Sequence, residues 1–166
     1  KRARPCTSPE GEILKLILAT NNKNKVREIR EILGTRFEEI LSLSEAGIVH
    51  ETVEDGQSFL ENARKKAREI TELTGCCALA DDSGICVDAL DGAPGIFSAR
   101  FCGRHGDDEA NNRLLLEKLA GETHRGAHYT CAIVLTRPDG TCVEAEGRFY
   151  GEVTRVPAGE NGFGYD

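Results

Sequence analysis

The stretch ILKLILATNNKNKVREIREILG, residues 13–34, decides the fold. Its first seven residues are almost continuously apolar, which is typical of a short strand buried on both faces of a sheet. Six polar residues follow, and apolar residues then recur at helical spacing from Val26 to Leu33, where Gly34 ends the pattern. This order predicts a strand, a polar loop and a helix.

Further alternation of strand and helix patterns follows along the chain. Ser58 and Glu61 have the spacing of a capping box, so we expect a helix from there to about Leu73. The other expected elements are strands over 37–41, 76–80 and 85–90, a helix from Asp107 or Asp108 through Ala120, and strands over 129–136 and 141–150 around a Pro-Asp-Gly turn. Strand–helix units combined with a β-hairpin predict an α/β or α+β domain with a mixed sheet.

The composition limits the class of protein. The 166 residues carry a net charge of −7 and suit one domain, which we place at residues 13–166 after a tail or linker at 1–12. The acidic surplus argues against nucleic-acid binding, and no apolar run is long enough to cross a membrane. The chain has no Met and stops in a loop, so we expect it to be a fragment of a longer protein.

The cysteines predict a reduced, cytoplasmic protein. There are seven of them, an odd number, and none forms a C-x-x-C pair. This pattern argues against a disulfide framework and against a spaced zinc site. The four histidines are also scattered, and we interpret them as surface or structural residues.

The polar loop at residues 20–25, here called the lysine loop, is the first candidate site. It follows a buried strand and precedes a helix, and free N–H groups at a helix start favour an anion. Lys23 and Lys25 add positive charge, so the loop could hold phosphate groups. The alternative is a polar turn with solvated lysines and Asn24 as the helix cap.

Two acidic segments could supply metal ligands. Asp81 and Asp82 follow an apolar strand, and adjacent carboxylates repel each other unless a cation or a proton lies between them. Mg²⁺ would suit them, but only one of two successive side chains can face a cleft, so the other should point to a neighbouring backbone. Residues 51–56, the acidic loop, could add a second ligand. The alternatives are an Asp-Ser-Gly turn and a solvated loop.

The last segment places one aromatic ring among glycines. Phe163 lies between Gly162 and Gly164, which leaves its ring poorly shielded and able to stack on a base. The alternative is a surface loop with one anchored Phe.

Taken in order, these segments resemble the inosine triphosphate pyrophosphatase family, which includes dITP/XTP pyrophosphatases. The resemblance rests on residues 18–25, 54–63, 80–85 with 92–101, and 157–166. It implies an α/β fold with a mixed central sheet flanked by helices and two lobes with a cleft between them. It also implies a cytoplasmic, homodimeric, Mg²⁺-dependent enzyme that hydrolyses deaminated purine nucleoside triphosphates (dITP, ITP, XTP) to monophosphate and pyrophosphate.

The resemblance also implies roles for individual residues. Glu54 would be linked to the metal, Asp82 would be the general base and meet the metal, and Ser83 would contact substrate. Phe163 would stack on the purine. The triphosphate would be bound by Thr20, Asn21, Asn22, Lys23, Asn24 and Lys25, and the base pocket would be completed by Gly164, Tyr165 and Asp166.

The family pattern continues beyond the last residue of this chain with a Lys and a Ser-His-Arg motif. Two other functions stay open at this point, and the missing segment bears on the second of them. One is an aspartate-nucleophile phosphatase that uses Asp81 or Asp82, and the other is a nucleotide-binding fragment without turnover. The sequence does not rank ITP, dITP and XTP.

Overall fold

The computed structural model describes Cys6, residues 15–160 and residues 162–166. A five-stranded sheet in the order β2-β1-β3-β4-β5 forms the centre, which confirms the predicted α/β fold with a mixed sheet. Two 3₁₀ helices, Asp88–Leu90 and Gly95–Arg100, follow the third strand. The strands and helices are β1 (Lys15–Leu18), α1 (Lys23–Leu33), β2 (Glu39–Ser42), α2 (Phe59–Thr74), β3 (Cys77–Val87), α3 (Asp108–Lys118), β4 (Gly126–Thr136) and β5 (Cys142–Glu152).

The first three strands of the sheet are parallel. Leu18 of β1 pairs with Ser42 of β2 on one side and with Leu79 of β3 on the other. Leu16, Ile17 and Leu18 are almost completely buried, as the continuous apolar run predicted. β1 and β2 therefore end together, beside Leu79 of β3, whereas β3 continues to Val87. Open α/β sheets bind ligands at this carboxyl edge.

The helix starts follow the sequence signals with two corrections. Asn22, not Asn24, caps α1, because its side chain accepts from the backbone N–H groups of Asn24 and Lys25. The capping box of α2 is confirmed at Ser58, whose hydroxyl accepts from the backbone of Glu61 at 3.2 Å. The carboxylate of Glu61 reaches one residue further back than expected and accepts from the N–H of Gln57 at 2.7 Å.

The strand β3 differs from its prediction. We expected two strands, over 76–80 and 85–90, but a single strand runs through the Asp-Asp-Ser-Gly segment between them. Gly84 allows this continuity, because a Cβ atom there would lie 2.5 Å from the carbonyl oxygen of Gly95. The hydroxyl of Ser98 then accepts from the N–H of Ile85 at 3.0 Å. The alternative considered from the sequence, an Asp-Ser-Gly turn at this segment, is therefore wrong.

The elements after β3 follow the sequence signals more closely. Asp107 caps α3 by accepting from the N–H of Ala110 at 3.0 Å, and the apolar side of this helix packs with Ile85 and Val87. The Pro-Asp-Gly turn closes through the N–H of Arg137, which donates to the carbonyl of Thr141 at 2.9 Å. The predicted helix α3 and the predicted hairpin of β4 and β5 are thus confirmed, with ends that differ by a few residues.

The residues group into two compact units. The first runs to Asp81 and includes Ala132–Ala145, and the second comprises Asp82–Cys131 and Glu146–Asp166. Within the described residues, no helix is long and apolar enough to span a bilayer. The domain boundaries given from sequence, a tail at 1–12 and a domain at 13–166, stay a prediction.

The cysteine prediction needs a correction. Cys6 and Cys76 form a disulfide, with their Cα atoms 5.2 Å apart. The pairing joins positions 70 residues apart, so no local spacing could indicate it. Free thiols lie at Cys77, Cys86, Cys102, Cys131 and Cys142.

Candidate active site

The lysine loop lies at the carboxyl edge of β1, in the first unit. Its last three residues, 23–25, form the first turn of α1, so the helix begins three residues earlier than the sequence predicted. The backbone of the loop is fixed by its own side chains and by the segment after β2. Asn21 accepts from the N–H of Ser44 at 2.9 Å, and Thr20 accepts from the N–H of Asn22 at 3.1 Å. Asn22 occupies the N–H groups of Asn24 and Lys25, so two donors expected to be open to an anion are already used. The positive charge of the loop therefore comes mainly from its ammonium groups.

Lys25 is held by a carboxylate of β3. Its Nζ lies 2.5 Å from Oδ2 of Asp81, and the Lys25 and Asp81 side chains are 22% and 9% exposed. Partial burial strengthens such a pair relative to one in water and fixes the direction of the lysine side chain. The aspartate expected to point to a neighbouring backbone is therefore bonded to the lysine loop. Asp82, the next residue of β3, is equally buried at 8% exposure.

The acidic loop is bonded to α2 along its length. Glu54 accepts from Nζ of Lys66 at 2.9 Å, and Asp55 accepts from Nζ of Lys65 at 2.7 Å. The hydrogen bond from Lys65, followed by its charge, lowers the pKa of Asp55. The N–H of Gly56 donates to the side chain of Asn62, which is completely buried. These bonds attach the acidic loop to α2, although Val53 and Asp55 are largely exposed to solvent.

One end of the acidic loop has a further anchor on α2. Glu69 accepts from the hydroxyl of Thr52 at 2.6 Å, and its carboxylate lies 2.7 Å from Nε2 of His50. Burial raises the pKa of Glu69, but the hydrogen bonds from Thr52 and His50 outweigh this effect and lower it. His50 is thus a structural partner, in agreement with the sequence-based interpretation.

The second unit contains a cavity of about 720 Å³. This volume falls within the range of roughly 300–1,000 Å³ that is usual for small-molecule sites. Apolar side chains from β3, α3 and β4 line one part of it, including Ile85, Leu115 and Ala127. Another part is lined by residues 157–160 and by Gly162–Asp166, here called the aromatic loop.

The aromatic loop is a closed turn. The N–H of Asp166 donates to the carbonyl of Phe163, and the N–H of Phe163 donates to the carboxylate of Asp166, both at 3.2 Å. Gly164 adopts a positive φ of 60°, and a Cβ at Gly162 would lie 2.6 Å from that of Asp166. The glycines are thus required by the turn, and the ring of Phe163 is half-buried beside the cavity.

Two tyrosines line the cavity near this turn: Tyr129 from β4 and Tyr165 from the aromatic loop itself. Burial, followed by the charge of Asp166, raises the pKa of Tyr129. Burial, followed by the charge of Asp108, raises the pKa of Tyr165, whose hydroxyl donates to the carbonyl of Ser98 at 2.8 Å. Both phenols are therefore neutral at physiological pH, and the hydroxyl of Tyr165 acts as a hydrogen-bond donor.

A model of the Ham1 family matches residues 16–166, which is most of the chain. This chain belongs to the Ham1 family. It is 48% identical to a dITP/XTP pyrophosphatase of Streptomyces coelicolor and 50% identical to one of Exiguobacterium, and each match covers 92% of this chain and 78% of the relative. These findings confirm the resemblance drawn from the motifs.

Solved structures of Ham1 relatives have the same fold. A nucleoside-triphosphatase (dITP/XTP pyrophosphatase) of Mycobacterium abscessus superposes with a TM-score of 0.76 at 45% identity, covering 92% of this chain and 80% of that one. A HAM1 protein of Coxiella burnetii gives a TM-score of 0.81 at 37% identity, covering 93% and 80%. The α/β architecture is thus confirmed by both sequence and structure.

The structure brings some predicted site residues together and adds others. The lysine loop is joined in the first unit by Asp81, which was considered from the sequence only as a metal ligand or a nucleophile. Glu54 is joined there by Lys66, which was not among the predicted site residues. The local signal for Lys66 was its place on α2, directly after the acidic loop. Ser83 lies half-buried in β3, and Phe163, Gly164, Tyr165 and Asp166 all line the cavity. The catalytic and ligand roles of these residues stay predictions.

Proposed function

We propose that this chain hydrolyses deaminated purine nucleoside triphosphates, such as dITP, ITP and XTP, to the nucleoside monophosphate and pyrophosphate. The observation that carries the proposal is the lysine loop at the carboxyl edge of the parallel strands, with Lys25 held by Asp81 at 2.5 Å. The apolar cavity beside Phe163 and the names of the Ham1 relatives support it.

The phosphate end of the substrate is assigned to the lysine loop. A nucleoside triphosphate carries about four negative charges, and a protein of net charge −7 repels it except where cations are concentrated. Lys23 is exposed and Lys25 is directed by Asp81, so the two ammonium groups offer one adaptable and one fixed contact. The side chains of Thr20, Asn21 and Asn22 shape the backbone around them, and Asn24 is assigned as a further contact of the triphosphate.

The acidic residues suit Mg²⁺. This ion usually takes one or two carboxylates and completes its shell with water and phosphate oxygens. In the described part of the chain, no group of three or more His, Cys, Asp or Glu side chains is arranged to hold a metal. We assign Glu54 and Asp82 as its ligands; when bound, Mg²⁺ would supply positive charge for the phosphates and make a bound water more acidic.

The salt-bridge partners of the site residues add to this assignment. Lys66 holds the carboxylate of Glu54 at 2.9 Å, and both side chains are largely buried. A lysine there fixes the direction of Glu54 and can shift toward phosphate oxygens when the substrate is bound. We therefore assign Lys66 and Asp81 as further residues of this site, each acting through its partner.

The reaction assigned to the chain is attack of water on the α-phosphorus. Asp82 would accept a proton from that water while the bond from the α-phosphorus to the bridging oxygen breaks. The electron pair of that bond leaves with pyrophosphate, whose developing negative charge would be stabilised by the lysine loop. Ser83 follows Asp82 in β3 and is assigned as a substrate contact. The products are the nucleoside monophosphate and pyrophosphate, with one water consumed.

The base end is assigned to the cavity of the second unit. The ring of Phe163 would stack on the purine, which is worth about 1–3 kcal/mol per base. Gly164, Tyr165 and Asp166 would complete the pocket. A site whose donors pair with the 6-keto group leaves those donors unpaired when ATP brings an amino group, so we expect 6-keto purines to be preferred.

The proposed setting is the cytoplasm, with a small molecule and not a nucleic acid as the partner, and with the enzyme as a homodimer. The acidic net charge supports a small molecule over a nucleic acid, because a duplex-binding face would shift the balance toward lysine and arginine. The homodimer rests on the resemblance to the family alone.

Product analysis tests the proposed function. The chain is incubated with dITP, with Mg²⁺ or with EDTA, and pyrophosphate and orthophosphate are measured separately. We expect Mg²⁺-dependent pyrophosphate release. Orthophosphate as the first product would instead indicate an aspartate-nucleophile phosphatase, and dITP binding without any product would indicate a binding fragment.

The Asp82→Asn variant tests the base. Losing a general base costs about 10²–10⁴-fold in kcat, while the KM for dITP should change by less than about threefold. The exposed Asp91→Asn, in the turn after the first 3₁₀ helix, is the matched control and should keep full activity. Wild-type turnover by Asp82→Asn would refute the assignment of the base.

A further inference from the structure

Two side chains of α3 hold one residue of the aromatic loop. Oδ2 of Asp108 accepts from the N–H of Gly164 at 3.1 Å, and Nδ2 of Asn112 donates to the carbonyl of Gly164 at 2.7 Å. Asp108 and Asn112 are four residues apart, so they lie on the same face of the helix, one turn above the other. Both backbone polar groups of Gly164 are thus bonded to a rigid element.

Because of the position of Gly164, these two bonds affect the orientation of the whole aromatic loop. It lies between Phe163 and Tyr165, and its positive φ of 60° sets the turn that directs the Phe163 ring. The turn's own closing bonds, between Phe163 and Asp166, fix its shape but not its orientation on the protein. That orientation is fixed by the two bonds to α3 and by the bond from Tyr165 to Ser98.

We infer that Asp108 and Asn112 are positioning residues for the base of the substrate: they hold the aromatic loop so that Phe163 faces the bound purine. This inference rests on the proposed function, in which Phe163 stacks on the base. Asp108 belongs to the first turn of α3, where a carboxylate is favoured, so the helix stabilises the charge that accepts the bond.

The two residues should therefore affect the base end of the substrate only. Asp108→Ala removes the acceptor, and Asn112→Leu removes the donor while keeping the side-chain volume. Each should raise the KM for dITP by about three- to tenfold, the worth of one hydrogen bond, with kcat within twofold of wild type. Asp108→Asn keeps an acceptor oxygen and should rescue most of the KM. Arg113→Ala, an exposed neighbour on the same helix, is the matched control.

A ligand without a base separates positioning from general damage. Tripolyphosphate should inhibit by occupying the phosphate end, so its inhibition constant should be the same in wild type, Asp108→Ala and Asn112→Leu. A rise in KM for dITP with an unchanged tripolyphosphate constant supports the inference. Unchanged KM values in both variants, or an equal rise in both constants, would overturn it.

The same experiment distinguishes this inference from the function on which it rests. Wild-type protein that releases no pyrophosphate from dITP removes the proposed function and the inference together. Normal wild-type release, combined with wild-type KM values in both variants, overturns the positioning role alone. If Asp108→Ala fails to fold, Asn112→Leu decides the outcome, because it leaves the acidic first turn of α3 intact.

Discussion

Gly84→Ala should destabilise the protein, because the structure leaves no room for a methyl group at this position. A Cβ there would lie 2.5 Å from the carbonyl oxygen of Gly95 and 2.9 Å from Cβ of Ser98, and even closer to the Ser98 hydroxyl. Real Cβ atoms essentially never approach other atoms to within 3.0 Å. Either β3 or the second 3₁₀ helix must therefore move.

Two effects set the size of the loss. Overpacking of a well-packed site costs about 1–3 kcal/mol. If Ser98 moves away, the buried N–H of Ile85 loses its acceptor, which costs a further 1–3 kcal/mol or so. We expect about 2–6 kcal/mol in total. For a chain of this length that corresponds to a fall in the melting temperature of roughly 4–24 °C.

Thermal unfolding followed by circular dichroism measures this loss. Gly147→Ala is the matched control, since nothing lies within 4 Å of a Cβ built there, and it should change the free energy of unfolding by less than about 0.5 kcal/mol. A melting temperature of Gly84→Ala within 2 °C or so of wild type would refute the reasoning, because the expected loss is larger than that. Equal losses in the two variants would refute it as well.

Two further predictions concern the charged pairs of the first unit. Lys25→Met should lower kcat/KM for dITP by about 10²–10³-fold and raise the inhibition constant of tripolyphosphate. Arg27→Met, at an exposed position of the same helix, is the control and should change neither value. Steady-state kinetics that fail to separate the two variants would contradict the role of Lys25. The hydrogen bond from Arg64 lowers the pKa of Glu144 from 4.5 to about 2, so the stability that this pair contributes is complete above about pH 4.5 and is lost as the pH falls toward 2. Melting temperatures of wild type and Glu144→Gln should therefore converge between pH 5 and 2, with Glu28→Gln as the exposed control, and a constant difference across that range would contradict the linkage.

Features set by nearby residues could be predicted from the sequence. The buried strand β1 follows from a continuous apolar run, and the start of α2 follows from the capping box at Ser58. The Pro-Asp-Gly turn and the cap at Asp107 are equally local. Each depends on residues within about four positions, so one sequence contains the whole signal.

Features set by distant residues could not be predicted. The continuity of β3 through Gly84 depends on Ser98, fourteen positions later, and the disulfide joins Cys6 to Cys76. The lysine loop was recognised as a site, but its partner Asp81 lies 56 residues away and only the sheet register brings the two together. The hydrogen bonds between α3 and Gly164 could not be predicted from the sequence for the same reason.

Isotope labelling tests the central claim, which is water attack on the α-phosphorus of a deaminated purine triphosphate. Hydrolysis of dITP in ¹⁸O-water, followed by mass spectrometry of the products, shows which phosphorus takes the water oxygen. We predict one ¹⁸O atom in the nucleoside monophosphate and none in pyrophosphate. Label in pyrophosphate, or release of labelled orthophosphate, would contradict the account.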